Sequence, residues 1–427
     1  MTFDVSKVRA AYPALADGYA YLDGAAGTQV PEAVIGAIAD VYRAGIGNAG
    51  GAFPASQRAD EIIARCRLAV ADMTGGVPEG VILGPNMTTL TYRLAYTLAR
   101  TWGQGDEVIV SRLDHDANVR PWIQAAGRAG AKVRWAEIET ETGELPAAQY
   151  DDLLSERTRL VAVTAASNIL GTRPDVPTIT AKAHAVGALT YVDGVHATPH
   201  GPVDVAALGA DFFATSAYKW SGPHVGAVVS DPVLLARLNP DKLASSPSQV
   251  PDRFETGTPP YADFAGVAAA VDYLAALDNG GLDNGGLHNA GLSSAALDNA
   301  ALDNAALGSR RERLLASMAA AEEHELRLFA VLADGLASMR HVTLYGKAAR
   351  RTATAYFTVS GYTPRDVAEH LASRKVNVWN GHNYAWELTA ALGIRDTGSA
   401  VRAGLVHYND RSDVDRLLDG VAELASS

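Results

Sequence analysis

Short apolar, β-branched runs alternate with amphipathic stretches through the first two thirds of the chain. The runs that predict strands are Val108–Ser111, Lys132–Ala136, Leu160–Thr164, Leu189–Asp193, Phe212–Thr215 and Gly226–Val229. Helical patterns lie between some of them, at Trp122–Ala129 and Thr178–Val186. This alternation is typical of βαβ units, and it predicts an α/β fold with a large, doubly wound, mainly parallel sheet covered by helices on both faces.

The last part of the chain has a different rhythm. A long helical pattern, Arg310–Leu336, is followed by alternating short patterns: strand Ala353–Val359, helix Pro364–Ser373, strands Val376–Trp379 and Val401–Val406, and helix Ser412–Leu424. These elements predict a connecting helix and a small α+β domain. We therefore expect a large domain over residues 21–277, and a connecting helix with a small C-terminal domain over 308–427, on which residues 1–20 pack.

A five-residue repeat separates the two regions. Leucine recurs at every fifth position from Leu277 to Leu307, in units such as LDNGG and LDNAA. Five residues turn a helix by about 140°, so these leucines cannot form one apolar stripe. The units resemble pentapeptide-repeat coils but are few for a self-supporting solenoid. We predict that residues 278–307 are a surface insertion that is dispensable for catalysis, and a partner-binding role is the alternative.

Charge and cysteine content narrow the possible functions. Lys and Arg number 36 and Asp and Glu number 48, which gives a net charge of −12. An acidic surface repels nucleic acid and anionic membranes, so we expect neither as a partner. The chain has no membrane-length apolar run or basic-then-apolar leader, and its single cysteine excludes a disulfide framework. These features favour a cytoplasmic enzyme.

Candidate chemistry is concentrated between Tyr191 and Gly226. Asp193 ends one predicted strand, and Lys219 follows another in the sequence SAYKWSG. In α/β sheets the ligand lies beyond the carboxyl ends of the strands. A lysine in such a cleft can lose its proton by desolvation and become a nucleophilic amine. A lysine together with an aspartate that faces a pyridinium nitrogen is the recurring arrangement for pyridoxal phosphate.

Two other patterns suggest sites that we do not expect. Gly45–Gly50 fits GxGxxG, but it follows the helical pattern Glu32–Arg43, whereas a dinucleotide site needs a preceding strand. A second grouping has metal-ligand side chains and comprises Asp193, His196, His200 and Asp204. Because Pro199 and Pro202 interrupt its spacing, we predict no metal site there.

Several motifs, in order along the chain, resemble one enzyme family. They are YLDGAAGTQVP (21–31), DHDANVRPW (114–122), SNILGT (167–172), the segment Asp193–Gly226, RFETGTP (253–259) and VRAGLVHYN (401–409). The chain resembles class V aminotransferase-fold enzymes of the cysteine desulfurase and selenocysteine lyase branch, and within it the cysteine desulfurase-like proteins. This resemblance implies a fold-type I transferase architecture, pyridoxal 5′-phosphate as cofactor and a homodimer.

The resemblance also implies roles for the residues around the cofactor ring. Lys219 would hold the cofactor as a Schiff base, Asp193 would pair with the ring nitrogen, and His115 would stack on the ring. His196 stands where the family usually has glutamine, and its N–H would donate to the ring oxygen. Asn168 would lie beside that oxygen and the substrate carboxylate.

Further residues would hold the phosphate and the substrate. The implied phosphate contacts are Asn86, Met87 and Thr88 at the start of a helix, Ser216, and Gly257 and Thr258 from the partner subunit. Free N–H groups and the helix dipole favour phosphate at such a helix start. Arg402 would bind the substrate carboxylate, a task suited to its bidentate fork.

The chain departs from the family at the position of the catalytic cysteine. Desulfurases carry a persulfide on a cysteine in a small-domain loop, and Tyr384 occupies that position here. The only cysteine, Cys66, lies in the helical pattern EIIARCRLAV, and we interpret it as structural. Desulfuration through a persulfide is therefore not expected. Tyr384 is a candidate for substrate binding and for proton donation to a leaving group.

Aromatic residues replace polar ones around the predicted site. Trp379 stands where many desulfurases have a second arginine, and Tyr218 replaces the histidine that commonly precedes the lysine. With Tyr384, Trp220 and Trp386 they predict an aromatic rim that favours a bulky or apolar substrate side chain. Packing between the domains is the alternative interpretation.

These features predict a pyridoxal phosphate-dependent lyase that acts on an amino acid through an α-carbanion. The expected reaction is β-elimination, with C–S bond cleavage of a substituted cysteine and no enzyme thiol. An aminotransferase or an epimerase of the same fold is the alternative, because all three share the carbanion. A cofactor-binding protein that recruits a partner through the insertion is a further alternative.

Overall fold

The computed structural model describes residues 3–277 and 308–426. The predicted repeat insertion, 278–307, lies outside the described residues, so its dispensability stays a prediction. In the described part of the chain, no helix is long and apolar enough to cross a membrane.

Thirteen strands form three sheets in the described residues. They are β1 (Ala20–Tyr21), β2 (Val81–Gly84), β3 (Glu107–Ser111), β4 (Lys132–Ala136), β5 (Thr158–Thr164), β6 (Leu189–Asp193), β7 (Phe212–Ser216), β8 (Gly226–Ser230), β9 (Val342–Tyr345), β10 (Thr354–Val359), β11 (Val376–Asn377), β12 (Trp379–Gly381) and β13 (Ala400–Gly404). The large sheet has the order β2-β8-β7-β6-β5-β3-β4. Strand β8 runs antiparallel to both neighbours, and the other pairs are parallel. The predicted mainly parallel sheet is confirmed.

The described helices surround these sheets. They are α1 (Val5–Ala10), α2 (Glu32–Ala44), α3 (Pro54–Thr74), α4 (Met87–Ala99), α5 (Arg120–Ala129), α6 (Tyr150–Leu153), α7 (Val176–Ala185), α8 (Val205–Leu208), α9 (Pro232–Ala236), α10 (Tyr261–Leu274), α11 (Arg310–Ser338), α12 (Pro364–Ser373), α13 (Trp386–Ala391) and α14 (Arg411–Glu423). Helix α11 begins with a capping box, in which Ser309 and Glu312 exchange side-chain and backbone hydrogen bonds.

Apolar packing covers both faces of the large sheet. On one face, α10 packs against α2 and α3, and Cys66 of α3 is fully buried in this core. On the other face, α4 packs against α5, and Trp122 is fully buried between the sheet and the helices. Strands β5, β6 and β7 are therefore buried almost throughout, and their carboxyl ends lie at the edge of the sheet where a ligand is expected.

The small domain is built on the antiparallel sheet β12-β13-β10-β9. The N-terminal segment joins it, because β1 pairs with β11, and Arg9 donates to the carbonyl of Tyr408 at 2.8 Å. The prediction of one strand over Val376–Trp379 is wrong: β11 pairs with β1, whereas β12 pairs with β13 in another sheet. The partner of β11 lies more than 350 residues away in sequence, which a local pattern cannot reveal.

Candidate active site

A two-part cavity opens at the carboxyl ends of β5, β6 and β7, where the small domain meets the large one. Its inner part has a volume of about 50 Å³ and is lined by Met87, Thr88, His115, Thr164, Ala166, Asn168, Asp193, Val195, His196, Tyr218 and Lys219. Its outer part has a volume of about 720 Å³ and adds Trp379, Tyr384 and Arg402 among other residues. The fold thus brings most of the predicted site residues to one place.

Lys219 lies on the short turn that follows β7. Its Nζ donates to the carbonyl of Ala25 at 2.6 Å. Burial and the nearby Arg402 charge lower the pKa of the amine to about 7, against an opposing effect of Asp193. A large fraction of this lysine is therefore a neutral, nucleophilic amine near neutral pH.

Asp193 ends β6 and is almost fully buried beside Lys219. Its Oδ1 accepts from the backbone N–H of Val195 at 2.9 Å, which fixes the carboxylate at the turn. Burial raises the pKa of this carboxyl to about 6, although the Val195 bond and the Lys219 charge lower it. A buried carboxylate of this kind gains stability from a cationic partner, and a protonated pyridine nitrogen is such a partner.

His115 is placed by a buried polar network below it. Its Nδ1 accepts from the N–H of Ala117 at 3.0 Å. Asp114 accepts from the amide of Asn118 at 2.7 Å, which holds this turn against α5. Burial and the positive charges of Lys219 and Arg402 lower the pKa of His115 to about 3. The ring is therefore neutral, which suits stacking on an aromatic cofactor.

The start of α4 forms a cradle that fits a phosphate. Asn86 caps the helix by accepting from Thr89 N–H at 2.9 Å, and Met87 N–H donates to Ser216 Oγ at 3.1 Å. A Cβ on Gly226 would lie 2.2 Å from the Asn86 backbone, so only glycine lets β8 approach here. Thr88 is exposed to the cavity one residue farther along. Together they form a cradle at a helix N-terminus that is suited to an anion.

Two residues that line the inner pocket each have a buried polar atom without a hydrogen-bond partner among the described residues. Nδ1 of His196 and Oδ1 of Asn168 make no hydrogen bond with the described residues. Such atoms are costly unless a ligand or water completes them. With Lys219, Asp193 and the α4 cradle, they give donors and acceptors for an aldehyde, a pyridine ring with its oxygen, and a phosphate. The residues present therefore fit pyridoxal phosphate.

Arg402 lies on β13 and reaches the cavity from the small domain. It is buried, its Nη1 donates to the carbonyl of Asn168 at 3.1 Å, and its Nε has no partner among the described residues. Burial lowers the pKa of the guanidinium to about 10, with Tyr356 and Asp23 opposing the change, so it remains a cation at neutral pH. An incompletely bonded buried cation is suited to a carboxylate ligand.

The loop that carries Tyr384 closes over this site. The amide of Asn168 donates to the carbonyl of Asn383 at 2.8 Å, and Asp116 N–H donates to the carbonyl of Tyr384 at 2.8 Å. Asn383 and Tyr384 both have positive φ angles, 49° and 59°, which non-glycine residues rarely adopt. The Tyr384 ring lies 5.4 Å from the His115 ring and is 67% exposed at the mouth of the cavity.

The aromatic rim is smaller than the sequence predicts. Trp379, Tyr384 and Tyr218 line the outer cavity, but Trp220 is buried in the core, where its indole N–H donates to Thr215 at 3.0 Å. Trp386 lies beside His382 at a ring distance of 5.3 Å and does not line the cavity. The prediction that Trp220 and Trp386 contribute to the rim is therefore wrong.

Two predicted phosphate contacts, and three residues that were not expected at the site, line neither part of the cavity. Gly257 and Thr258 are exposed and line neither part of it. Asp204 caps α8, and His200 contacts Glu325 at 2.6 Å. Cys66 is enclosed in α3, and burial raises the pKa of its thiol.

Three residues that act on the predicted site residues are absent from the sequence-based prediction. Thr352 and Thr354 contact the His196 ring from the small domain. Their local sequence, RTATAY, predicts only the start of a strand. The negative charge of Asp23 raises the pKa of the Arg402 guanidinium. Its position in the motif YLDGAAGT could have indicated a role at the site.

The chain matches one family model and is similar to proteins over nearly its whole length. The family model "Aminotransferase class-V" matches residues 20–302 and 309–417. An uncharacterized protein of Mycobacterium tuberculosis (strain CDC 1551 / Oshkosh) is 36% identical over 426 residues, covering 99% of this chain and all of the relative. A cysteine desulfurase of Enterobacter sp. (strain 638) is 32% identical over 448 residues, covering 99% of both chains.

Solved structures agree with the sequence relatives. The cysteine desulfurase CsdA (S-sulfonic acid) from Escherichia coli has a TM-score of 0.82 at 26% identity, covering 100% of this chain and 99% of its own. A lysine-to-alanine mutant of C-DES, with glycine covalently linked to the pyridoxal phosphate cofactor, has a TM-score of 0.74 at 21% identity. It covers 97% of this chain and 99% of its own, and at that identity it supports the fold.

Proposed function

Because the chain belongs to the class-V aminotransferase family and is a pyridoxal phosphate-dependent enzyme related to cysteine desulfurases, we propose that it is a C–S lyase. Its substrate would be a cysteine with a bulky or apolar substituent on sulfur. The bond between Cβ and sulfur breaks by β-elimination, and no enzyme thiol takes part.

The observation that carries this proposal is that the chain's one cysteine is buried and lies outside the candidate site. Tyr384 occupies the loop position over the site, and the chain's one cysteine is enclosed in α3. A persulfide requires an accessible thiolate, and burial disfavours the thiolate of Cys66. Elimination needs only a base, a stabilised carbanion and a leaving group.

Each residue then has a task that its surroundings support. The cofactor supplies an electron sink that stabilises the carbanion at the substrate α-carbon. Asp193 would keep a positive charge on the ring nitrogen, and Arg402 would hold the substrate carboxylate. Lys219, whose pKa is lowered to about 7, is the base that removes the α-proton.

The electrons of the broken Cα–H bond form a Cα–Cβ double bond, and the Cβ–S electron pair leaves with sulfur. We propose that Tyr384 gives the leaving sulfur its proton and that Trp379 contacts the substituent. Hydrolysis of the enamine product by one water yields pyruvate and ammonia. The outer cavity of about 720 Å³ has room for a substituent larger than hydrogen.

Product analysis with purified holoenzyme tests this function. We expect a panel of S-alkyl and S-aryl cysteines to give pyruvate, ammonia and the free thiol in equal amounts. Cysteine itself should react more slowly, because the aromatic wall gives its thiol little apolar contact. Mass spectrometry of the thiol product and an assay of pyruvate provide the measurement.

Transamination and epimerisation are the outcomes that would refute elimination. Transamination retains the amino group on the cofactor until a keto acid removes it, and epimerisation returns the substrate with inverted configuration. Tyr384→Phe, which keeps the ring and removes the hydroxyl, should slow release of the least acidic thiols most. Trp386→Phe, outside the cavity, is the matched control.

A second prediction concerns the pH dependence of cofactor capture. The neutral form of Lys219 attacks the aldehyde, and its pKa is lowered to about 7, so capture should increase with pH with a midpoint near 7. Arg402→Gln removes a positive charge that lowers this pKa, and the midpoint should move upward. Stopped-flow absorbance of ligand-free protein mixed with pyridoxal phosphate measures the rate. Arg374→Gln, on an exposed arginine, should leave the midpoint unchanged, and a midpoint near 10 in the wild type would contradict the assignment.

We further propose a homodimer in the cytoplasm, in which Gly257 and Thr258 complete the phosphate site of the partner subunit. Both residues are exposed and line neither part of the cavity in their own chain, which supports this arrangement. Light scattering tests the dimer.

A further inference from the structure

His196 is held by hydroxyl groups of the small domain. Its Nε2 lies 3.1 Å from Thr352 Oγ1 and 3.0 Å from Thr354 Oγ1. The two hydroxyl oxygens are 3.5 Å apart, and all three side chains are buried. His196 itself follows β6 in the large domain and lines the inner pocket. One imidazole therefore connects the cofactor site to the small domain.

The hydrogen-bond donors and acceptors around His196 determine which ring nitrogen carries the hydrogen. Each threonine hydroxyl has one hydrogen to donate, and a buried hydroxyl needs an acceptor for it. Among the described residues, these two hydroxyls have only His196 Nε2 and each other as partners. At least one of them must donate to Nε2, because two hydroxyls in a pair cannot each donate to the other. Nε2 is then an acceptor, and the hydrogen of a neutral ring lies on Nδ1.

The surroundings keep the ring neutral. Burial is the largest effect, and the charges of His200, Lys219, Arg402 and Arg173 add to it, so the pKa of His196 lies well below its usual value. The His200 ring packs edge-on at 4.7 Å, and its Nδ1 contacts Glu325 of α11 at 2.6 Å. A cationic His196, with hydrogen on both nitrogens, is disfavoured in this field.

We infer that Thr352 and Thr354 are positioning residues that hold the hydrogen of His196 on Nδ1, so that the small domain prepares a hydrogen-bond donor for the ring oxygen of pyridoxal phosphate. Nδ1 is the nitrogen that has no partner among the described residues. The inference rests on the proposed assignment of His196 to that oxygen, and it gives the threonines a role that a glutamine at position 196 would not need. Glutamine carries a donor that has no tautomers.

Histidine tautomers in the ligand-free protein provide the first test. In protein with ¹⁵N-labelled histidine, the His196 signal, identified by its loss in His196→Gln, should report hydrogen on Nδ1. In Thr352→Val/Thr354→Val the ring should become a mixture of tautomers or change to hydrogen on Nε2. Thr358→Val, on the same strand β10, is the control, and Thr352→Ser/Thr354→Ser should retain the wild-type signal.

The absorption of the holoenzyme provides the second test. A hydrogen-bond donor at the ring oxygen lowers the affinity of that oxygen for the proton that it shares with the lysine nitrogen. Loss of this donor should therefore raise the pH midpoint of the visible absorption change by roughly 0.5 to 1 unit. The valine substitutions should cause this shift in the wild-type background. They should cause none in His196→Gln, whose donor does not depend on the threonines.

Two results would overturn the inference. Hydrogen on Nε2 in the wild type would show that the threonines accept from His196. An equal shift of the midpoint in the His196→Gln background would show that the threonines act by packing alone. Neither result depends on which products the enzyme makes, so failure of the proposed reaction is decided separately by the product analysis.

Discussion

Replacing Lys219 by alanine should lower kcat by at least about 10²- to 10⁴-fold, the contribution of a positioned acid or base. The structure explains why no neighbour can take over. The amine is held at 2.6 Å by the Ala25 carbonyl, and its pKa is lowered to about 7 by burial and Arg402. His115 lines the same pocket, but with a pKa near 3 it is a much weaker base. Steady-state kinetics with the best substrate of the panel measures the loss.

A small added amine separates chemistry from folding in this experiment. Ethylamine should fit the space left by the lysine side chain and restore part of the activity of Lys219→Ala. Lys347→Ala, on an exposed turn, should retain wild-type kcat. Full activity in a folded, cofactor-loaded Lys219→Ala protein would show that another group is the base, and the assignment of this site would be wrong.

Replacing Asp193 by asparagine should lower kcat by about 10²- to 10³-fold, a loss typical of removing one preorganised electrostatic group. Asparagine can still accept from Val195 N–H, so the turn after β6 keeps its bond. It carries no negative charge, however, and the positive charge on the ring nitrogen loses its partner. Because Asp193 would contact the cofactor rather than the substrate, KM should change little.

The pH profile gives a further check on Asp193. Its pKa is raised to about 6 in the ligand-free protein. The carboxyl group is therefore negatively charged above that pH, and it loses this charge as the pH falls below it. Cofactor affinity should weaken below about pH 6 in the wild type and be less dependent on pH in Asp193→Asn. Asp175→Asn, at the exposed cap of α7, is the matched control. An unchanged kcat in Asp193→Asn would contradict the ring-nitrogen assignment.

The sequence predicts the large domain well, because its strands are buried on both faces. Runs such as Leu160–Thr164 and Leu189–Asp193 have nearly the same bounds in the sequence and in the structure. The polar residues that end these strands converge because parallel strands share an edge. The convergence of Lys219 and Asp193 on one pocket can therefore be predicted from the large-sheet strands alone.

What the sequence could not predict depends on contacts between distant segments. Trp220 belongs to the core rather than to the site, and it donates a hydrogen bond to Thr215 there. Similarly, nothing in the residues around Thr354 indicates that they meet His196, which precedes them by 158 positions. Contacts between side chains of the two domains leave no periodic pattern in the local sequence of either partner.

The bond between the Asn168 amide and the Asn383 carbonyl makes ligand binding a competition. The amide has two N–H groups, and only one of them donates to the loop carbonyl. A substrate group that accepts from that same N–H must displace the carbonyl, so part of its binding free energy, about 1 kcal/mol, is used to break the existing contact. A ligand that leaves the amide alone keeps the loop in place and avoids that cost. Inhibitors of the two kinds should therefore differ in residence time as well as in affinity, with slower escape for those that the loop continues to cover.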